Sequence, residues 1–146
     1  MQLSLHTDYA LRTLMTLATS SDRQSVDAIA RRHGISANHL AKVAQALQAH
    51  GFVESTRGRT GGMVLARAAH GISVGDVVRR FENLDSFVGC LSDGGSCAMI
   101  GLCGLTPALR NALEAFLAHL DGITLADITA NEVALRQRLF PESLPG

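Results

Sequence analysis

A chain of 146 residues, 47% of them apolar, is long enough for one domain with a buried core. No apolar run approaches the roughly 18 residues that a membrane span needs, and Asp8 and Arg12 near the start argue against a signal peptide, so we expect a cytoplasmic protein with no membrane partner. The formal net charge is zero, yet residues 1–80 hold ten Lys and Arg against five Asp and Glu, and residues 81–146 hold three against eight. This asymmetry indicates a first half that faces DNA or a membrane surface, and an acidic remainder.

The first predicted helix covers residues 7–20, where Thr7 can serve as the N-cap. Asp8 then falls in the first turn, where a carboxylate offsets the positive end of the helix. Apolar residues recur at helical spacing along one side, which is the side expected to face the core. They are Leu11, Leu14, Met15 and Ala18.

Two further short helices are predicted at residues 25–33 and 36–50. Ser25 caps the former, Gly34 ends it in a left-handed conformation, and Ser36 caps the latter. Two short helices joined by a tight, glycine-containing turn indicate a helix-turn-helix, whose second helix enters the major groove of DNA. The residues that its apolar stripe leaves free are Ser36, Asn38, His39, Lys42 and Gln45. Asparagine suits adenine and lysine suits guanine or phosphate, whereas the alternative is an ordinary helical hairpin with a polar outer face.

A basic β-hairpin is predicted directly after these helices. Residues 52–56 and 61–66 are strand-like, and the connecting tip carries Arg57, Arg59 and Thr60. Such a wing can place arginines along the phosphate backbone or in a narrow minor groove, although an isolated hairpin could equally be a solvent-exposed element. A hairpin that follows a helix-turn-helix is more specific than either part, so the pair predicts binding of double-stranded DNA.

All three cysteines of the chain lie close together, at Cys90, Cys97 and Cys103. Three clustered thiolates suit an iron–sulfur cluster or a zinc ion. Their spacing departs from the paired cysteines of zinc ribbons and from the run found in bacterial ferredoxins, and the odd count argues against a closed set of disulfides. We therefore favour an iron–sulfur cluster whose fourth position is open or is filled by another residue or subunit.

The longest predicted helix covers residues 105–121, with Thr106 as its N-cap and Pro107 in its first position. Its apolar face is wider than a small winged domain can cover, which favours a dimerisation helix over plain core packing. A homodimer also matches the palindromic symmetry of operators. One last short helix is predicted to begin at Thr124, ahead of a frayed tail from Pro141 onward.

The predicted fold is therefore mainly α with a small β-hairpin, namely a winged helix-turn-helix DNA-binding domain plus a long dimerisation helix. We assign residues 1–80 to the DNA-binding domain, residues 81–104 to a cysteine-containing cluster-binding loop, and residues 105–146 to the dimerisation helix and the C-terminal helix.

Over nearly its whole length the chain resembles the Rrf2 family of bacterial winged-helix repressors. The resemblance is carried, in the order of the family, by HTDYALRTLMTLA, GISANHLAKVAQALQAHGFVES, RGRTGGMVLAR, ISVGDVVRRFE and the three-cysteine loop. Within the family the chain looks most like the nitric-oxide-sensing branch, because of CAMIGLCGL before the long helix and the late segment LDGITLADI. The cluster-assembly regulators of the family carry a histidine three residues after the last cysteine. Thr106 stands there instead, so a histidine-completed cluster is not expected.

The resemblance implies that Cys90, Cys97 and Cys103 hold a 4Fe-4S cluster, which an oxygen ligand near the N-terminus of the other subunit completes. Asp8 of the partner subunit stands where that ligand would be. Other candidates in the sequence are His6, Glu82 and Asp85. The implied function is a nitric-oxide-sensing repressor for nitrosative-stress defence, which binds operator DNA as a homodimer and releases it when the cluster is nitrosylated.

Two other readings of the cysteine loop stay open. The same fold could sense redox state, iron or cluster supply, or could bind zinc. An enzyme or electron carrier would need further features, and the sequence has no nucleotide-binding glycine loop, nucleophile–base arrangement or second cluster motif. We therefore expect a regulator and not an enzyme.

Overall fold

The computed structural model describes residues 2–86 and 97–143 of the chain. The helices are α1 (Leu5–Thr19), α2 (Val26–His33), α3 (Ala37–Ala49), α4 (Val74–Phe81), α5 (Leu105–Asp121), α6 (Leu125–Ile128) and α7 (Glu132–Leu139). The strands are β1 (Val53–Thr56) and β2 (Gly62–Leu65), and short 3-10 turns occupy Ala69–Gly71, Leu84–Ser86 and Pro141–Ser143. Among the described helices, none combines the length and the apolar character that a membrane crossing requires.

Helix α1 begins earlier than the sequence predicts. Ser4, and not Thr7, is the N-cap, because the Ser4 hydroxyl accepts a hydrogen bond from the Thr7 backbone N–H at 3.2 Å. Thr7 lies inside the helix and is fully buried. The earlier start leaves Asp8 in the first turn, as predicted.

Helices α2 and α3 form the predicted pair, with the predicted caps. Ser25 caps α2, and Gly34 ends it with a φ of 64°, a left-handed conformation that glycine adopts without steric cost. Ser36 caps α3 by accepting a hydrogen bond from the His39 backbone N–H at 3.2 Å. The side of α3 that faces the core consists of Leu40, Val43, Ala44 and Leu47.

The main hydrophobic core is built around α1. Leu14 of α1 is fully buried together with side chains from both helices of the helix-turn-helix and from the start of the hairpin. These are Ile29, Leu40, Leu47 and Phe52. A second, smaller core joins α4 to α5 through Val74, Val78, Leu113 and Leu117. The long helix therefore packs part of its apolar face within its own chain.

The two strands form an antiparallel hairpin in which Val53 pairs with Leu65 and Thr56 with Gly62. A further bridge joins Gln24, in the loop between α1 and α2, to Met63 of β2. The hydrogen bonds of this bridge, 2.8 and 3.1 Å long, attach the hairpin to the start of the helix-turn-helix. The wing is thus fixed at its base, and its tip is exposed.

The C-terminal helices differ from the prediction in two details. Gly104 precedes α5 and provides no side-chain cap, so the predicted cap at Thr106 is wrong, although Pro107 does lie in the first turn. Thr124 caps α6 as predicted, in a capping box with Asp127. The segment that follows forms two helices and not one. The break falls near Thr129, whose side chain donates a hydrogen bond to the Leu125 carbonyl at 2.7 Å.

Candidate DNA-binding surface and cysteine loop

The predicted DNA-reading residues lie together on the outer face of α3. Because Leu40, Val43, Ala44 and Leu47 face the core, the polar side chains on the opposite side of α3 are directed outward. All five predicted residues are exposed, namely Ser36, Asn38, His39, Lys42 and Gln45. These side chains are accessible to solvent, as those of a recognition helix must be.

The wing tip places Arg57, Arg59 and Thr60 in the exposed loop between β1 and β2. Within residues 2–86 and 97–143, neither arginine forms an ion pair with a carboxylate. Two free guanidinium groups on a hairpin attached beside α3 can each contact a phosphate.

A small cleft of about 230 Å³ separates the beginning of α1 from the outer face of α3. Its lining residues are Leu5, His6, Tyr9, His39, Lys42 and Val43. Two of the predicted DNA-reading residues, His39 and Lys42, therefore lie next to the first turn of α1, which carries Asp8.

Two of the three cysteines are within the described part of the chain, and Cys90 lies outside it. Cys97 is exposed, Cys103 is half-buried, and both are free thiols. The chain turns between them, with the Cys103 backbone N–H bonded to the Met99 carbonyl at 3.1 Å. The Leu105 backbone N–H donates a hydrogen bond to the Cys103 sulfur at 3.4 Å.

These two thiols fit a soft metal or an iron–sulfur cluster. A thiolate is the form that binds such metals, and an amide hydrogen bond to the sulfur stabilises the thiolate. Among the described residues, no group of three potential ligands comes together. A complete site built on Cys97 and Cys103 therefore has to draw on residues beyond the described part or on another subunit.

The segment around the two cysteines exposes large apolar side chains. Leu102 is 93% exposed, and Met99, Ile100 and Leu105 are each at least half exposed. Helix α5 continues this surface with exposed alanines at positions 108, 112 and 115. Exposed large apolar side chains that follow one another closely in the chain are typical of an interface.

Asp8 is accessible at the surface and is held by one partner. Its carboxylate accepts hydrogen bonds from Arg12, with Nε to Oδ1 at 3.1 Å and Nη2 to Oδ2 at 3.0 Å. The Asp8 side chain is 37% exposed. No motif in the sequence marks Arg12 as a functional residue, although a carboxylate four residues before an arginine on a helix predicts such a pair.

The other candidate oxygen and nitrogen ligands have different environments. His6 stacks on Phe81, with ring centroids 5.1 Å apart, and Asp85 is exposed. Glu82 accepts a hydrogen bond from the Ser4 backbone N–H at 2.6 Å. Partial burial alone would raise the pKa of Glu82, but hydrogen bonds from Thr7 and Ser4 hold it below the ordinary value. Of the four candidates, Asp8 combines a carboxyl oxygen donor with an accessible position on α1.

Arg79 and Arg80, a basic pair that could have faced phosphate, are bound within the chain. Arg80 pairs with Asp76 at 2.9 Å, one turn earlier on α4. Arg79 pairs with Asp121 at the end of α5, with Nη2 to Oδ2 at 2.8 Å, and this hydrogen bond lowers the pKa of the Asp121 carboxyl. Arg79 therefore fastens α4 to α5, while Arg80 is paired within α4.

Residues 3–131 match the model of the Rrf2 family, described as iron-dependent transcriptional regulators. Over 142 residues the chain is 40% identical to the HTH-type transcriptional regulator NsrR of Bacillus licheniformis, a match that covers 95% of this chain and 99% of the relative. Among solved structures, T. potens IscR superposes with a TM-score of 0.72 at 25% identity, covering all of this chain and 93% of the other. CymR, the global cysteine regulator of B. subtilis, gives a TM-score of 0.67 at 26% identity, with 90% and 98% covered. The predicted winged-helix fold is confirmed.

Proposed function

Since this chain belongs to the Rrf2 family of transcriptional regulators, which bind DNA and are not enzymes, we propose that it is a repressor that senses nitric oxide through an iron–sulfur cluster. One observation carries the proposal. Cys97 and Cys103 are free thiols at the surface, directly before α5, in a chain whose relatives are NsrR regulators. The resemblance to the nitric-oxide-sensing branch supplies the effector.

The residues proposed to hold the cluster are Cys90, Cys97 and Cys103, with Asp8 of the partner subunit as the fourth ligand. A bound 4Fe-4S cluster would supply iron that nitric oxide can attack. Iron binds a carboxylate oxygen less strongly than a thiolate, because sulfur is the better donor to a soft metal. The bond from iron to Asp8 is therefore the weakest of the four bonds between the protein and the cluster.

Operator binding is assigned to α3 and the wing. Asn38 and Lys42 would read base edges in the major groove, while Arg57 and Arg59 would contact phosphate or a narrow minor groove. The site extends over Ser36, His39, Gln45 and Thr60, which are exposed on the same elements. We propose that α5 and the apolar surface before it form the homodimer interface, so that two recognition helices meet a palindromic operator.

The switch follows from the position of Asp8 at the start of α1. That helix is the centre of the DNA-binding core, and its first turn borders the cleft beside His39 and Lys42. With Asp8 held in the partner's cysteine site, α1 would be fixed relative to the other subunit. When nitric oxide releases it, Asp8 can pair with Arg12 alone, at the 3.0 Å distance seen in the structure. The helix-turn-helix units of the two subunits then lose their common orientation, and operator affinity falls.

The decisive experiment is an anaerobic titration of the cluster-loaded protein with nitric oxide. Visible absorption and binding to an operator selected from random DNA would be followed in the same samples. We expect iron–sulfur absorption and operator binding to be lost together. Equal operator affinity of the apo and loaded proteins would contradict the proposal.

Two variants test the ligand assignment. Cys103→Ser should lack the iron–sulfur absorption, and Asp8→Ala should retain absorption but respond to less nitric oxide. Asp27→Ala is the matched control for the latter, since Asp27 is an exposed carboxylate in the first turn of α2. If Asp8→Ala behaves as Asp27→Ala does, another residue is the fourth ligand.

The exposure of Cys97 keeps one alternative open, a regulator of the same fold that senses redox state, iron or cluster supply, or that binds zinc. Metal analysis of the protein as isolated separates zinc from iron. Operator release by peroxide in samples that do not respond to nitric oxide would favour the redox alternative.

A further inference from the structure

A continuous line of contacts leads from Asp8 to the helix-turn-helix. Asp8 binds the Arg12 side chain, and the backbone carbonyl of Arg12 accepts a hydrogen bond from the Thr16 hydroxyl at 2.8 Å. The same Thr16 oxygen lies 2.8 Å from Nε2 of His33. Thr16 is fully buried, and His33 is the last residue of α2, directly before the turn that leads to the recognition helix.

The Thr16 hydroxyl can make both contacts at once in one arrangement of protons. Its single proton is donated to the Arg12 carbonyl, and its oxygen accepts from an N–H at Nε2 of His33. In this arrangement the neutral imidazole carries its proton on Nε2. Protonation would add the second proton at Nδ1 and would leave the bond to Thr16 unchanged. What changes with protonation is the charge beside α1.

That charge lies in the field of Asp8 and Arg12. Burial lowers the pKa of His33, and the Arg12 guanidinium lowers it further. The Asp8 carboxylate acts in the opposite direction, and Arg32 of the same helix again lowers the pKa. These are the charges that act on His33 from α1 and α2 within the described ranges.

We propose that His33 is a positioning residue of the helix-turn-helix whose protonation opposes the engagement of Asp8 by iron in the partner's cysteine site, with Arg12 as the charge that couples the two events. The inference rests on the proposed function for the role of Asp8. While Asp8 pairs with Arg12, it screens the guanidinium and a proton on His33 is tolerated. When Asp8 binds iron, Arg12 is uncompensated and repels a protonated His33.

Coupling of this kind is reciprocal. If binding of Asp8 to iron disfavours the proton on His33, then protonation of His33 must weaken the binding of Asp8 by the same factor. Mild acid would therefore help to release Asp8 and would add to the effect of nitric oxide on operator binding. Neutral His33 is the state that accompanies repression.

The first test uses apo protein and needs no cluster. Asp8→Asn removes the carboxylate charge and leaves Arg12 in place, which reproduces the electrostatic part of iron binding. We expect the NMR titration midpoint of His33 to move downward in Asp8→Asn and upward in Arg12→Gln. His70 and His119, both exposed on other elements, are internal controls whose midpoints should not move. An unmoved His33 midpoint in Asp8→Asn overturns the proposal.

The second test measures the reciprocal effect in loaded protein. His33→Gln keeps an N–H donor for Thr16 but cannot take up a proton. The pKa of His33 lies below the ordinary histidine value of 6.5, so the comparison runs from about pH 7 to about pH 5. Over this range, chelator-driven cluster loss should accelerate roughly twofold more in the wild type than in His33→Gln. Because cysteine protonation affects both proteins equally, the difference between them reports His33, and an equal acceleration in both overturns the proposal.

The two proposals fail in different ways. If nitric oxide leaves operator binding unchanged while the His33 midpoint moves in Asp8→Asn, the coupling stands and the nitric-oxide function is wrong. If nitric oxide releases the operator while the His33 midpoint is the same in both apo proteins, the function stands and the His33 proposal is wrong.

Discussion

Gly75, in the first turn of α4, lies directly against Asp121, the last residue of α5. A Cβ atom at position 75 would approach the backbone nitrogen of Asp121 to 2.6 Å, closer than side-chain atoms pack in proteins. This close approach lets Arg79, one turn further along α4, reach the Asp121 carboxylate at 2.8 Å. The junction connects the DNA-binding core to the helix that follows the cysteines.

Gly75→Ala should therefore destabilise the protein. The added methyl group would meet both the carboxylate and the backbone of Asp121, so α4 and α5 have to separate, at a cost of about 1–3 kcal/mol for overpacking. The measurement is the free energy of unfolding in urea. Gly71→Ala is the control, because the nearest atom to a Cβ at Gly71 is 3.9 Å away, on the Arg67 side chain. Equal stability of the two variants would show that the junction can relax without loss.

The elements that the sequence predicts well are those whose signals are local. Ser25, Gly34 and Ser36 fix the ends of α2 and α3 because a cap depends on residues three or four positions apart. The apolar stripe of α3 is also predicted residue by residue, since apolar spacing alone determines which side of a helix is buried.

Helix α1 was predicted less completely because its buried side includes polar residues. Thr13 and Thr16 are fully buried, and each hydroxyl donates to the carbonyl one turn earlier, at 2.7 and 2.8 Å. A threonine satisfied in this way can face the core, which an apolar pattern does not reveal. For the same reason, an apolar pattern does not indicate the contact between Thr16 and His33.

Contacts between distant parts of the chain have no local signal. The pairing of Gly75 with Asp121 joins residues 46 positions apart in the printed sequence, and nothing near either residue indicates it. The ligand assignments of Cys90, Cys97, Cys103 and Asp8 of the partner subunit all stay predictions, because the complete site would involve residues beyond the described part of the chain and a second subunit.

Arg32 on α2 holds the C-terminal segment, and Arg32→Lys should weaken that attachment. The guanidinium donates to the Leu139 carbonyl and to Glu142, and it lies 4.3 Å from the centroid of the Phe140 ring. Lysine cannot make these contacts together, so we expect a loss of roughly 1–2 kcal/mol in unfolding free energy. The neighbouring exposed Arg31→Lys is the control. Hydrogen exchange should increase in α7 of Arg32→Lys only, and unchanged exchange there would contradict the role of Arg32.

Glu82→Gln should lower the melting temperature in a pH-dependent manner. The pKa of Glu82 lies below its ordinary value, so the ionised form stabilises the folded state and this stabilisation is present at neutral pH. It is lost as the pH falls from the ordinary pKa of 4.5 through the lower value in the folded protein. The difference in melting temperature between wild type and Glu82→Gln should therefore be largest near neutral pH and should shrink in acid. A difference that is constant across this range would mean that the charge has no part in holding the start of α1.

Asn38→Ala should relax operator specificity at one base position. Asn38 is exposed in the first turn of α3, where its amide can pair with adenine. The loss of such a pair costs about 1–3 kcal/mol of binding free energy for the correct base. The measurement is the Kd for the operator and for each of its single-base variants. Gln137→Ala, an exposed change on α7, is the control and should leave every Kd unchanged. A uniform loss of affinity over all operator variants would instead assign Asn38 to backbone contact.

Arg57→Ala and Arg59→Ala should weaken operator binding mainly through its dependence on salt. Both guanidinium groups are exposed at the wing tip and form no ion pair within the described residues, so each is free to displace a counterion from DNA. Each phosphate contact that is lost should reduce the slope of log Kd against log salt by about one. Arg138→Ala removes the same charge from the exposed side of α7 and should leave the slope unchanged. If the wing variants and Arg138→Ala show the same slope, the wing does not contact the backbone. If the loss appears only on operators with A·T pairs beneath the wing, the arginines read a narrow minor groove.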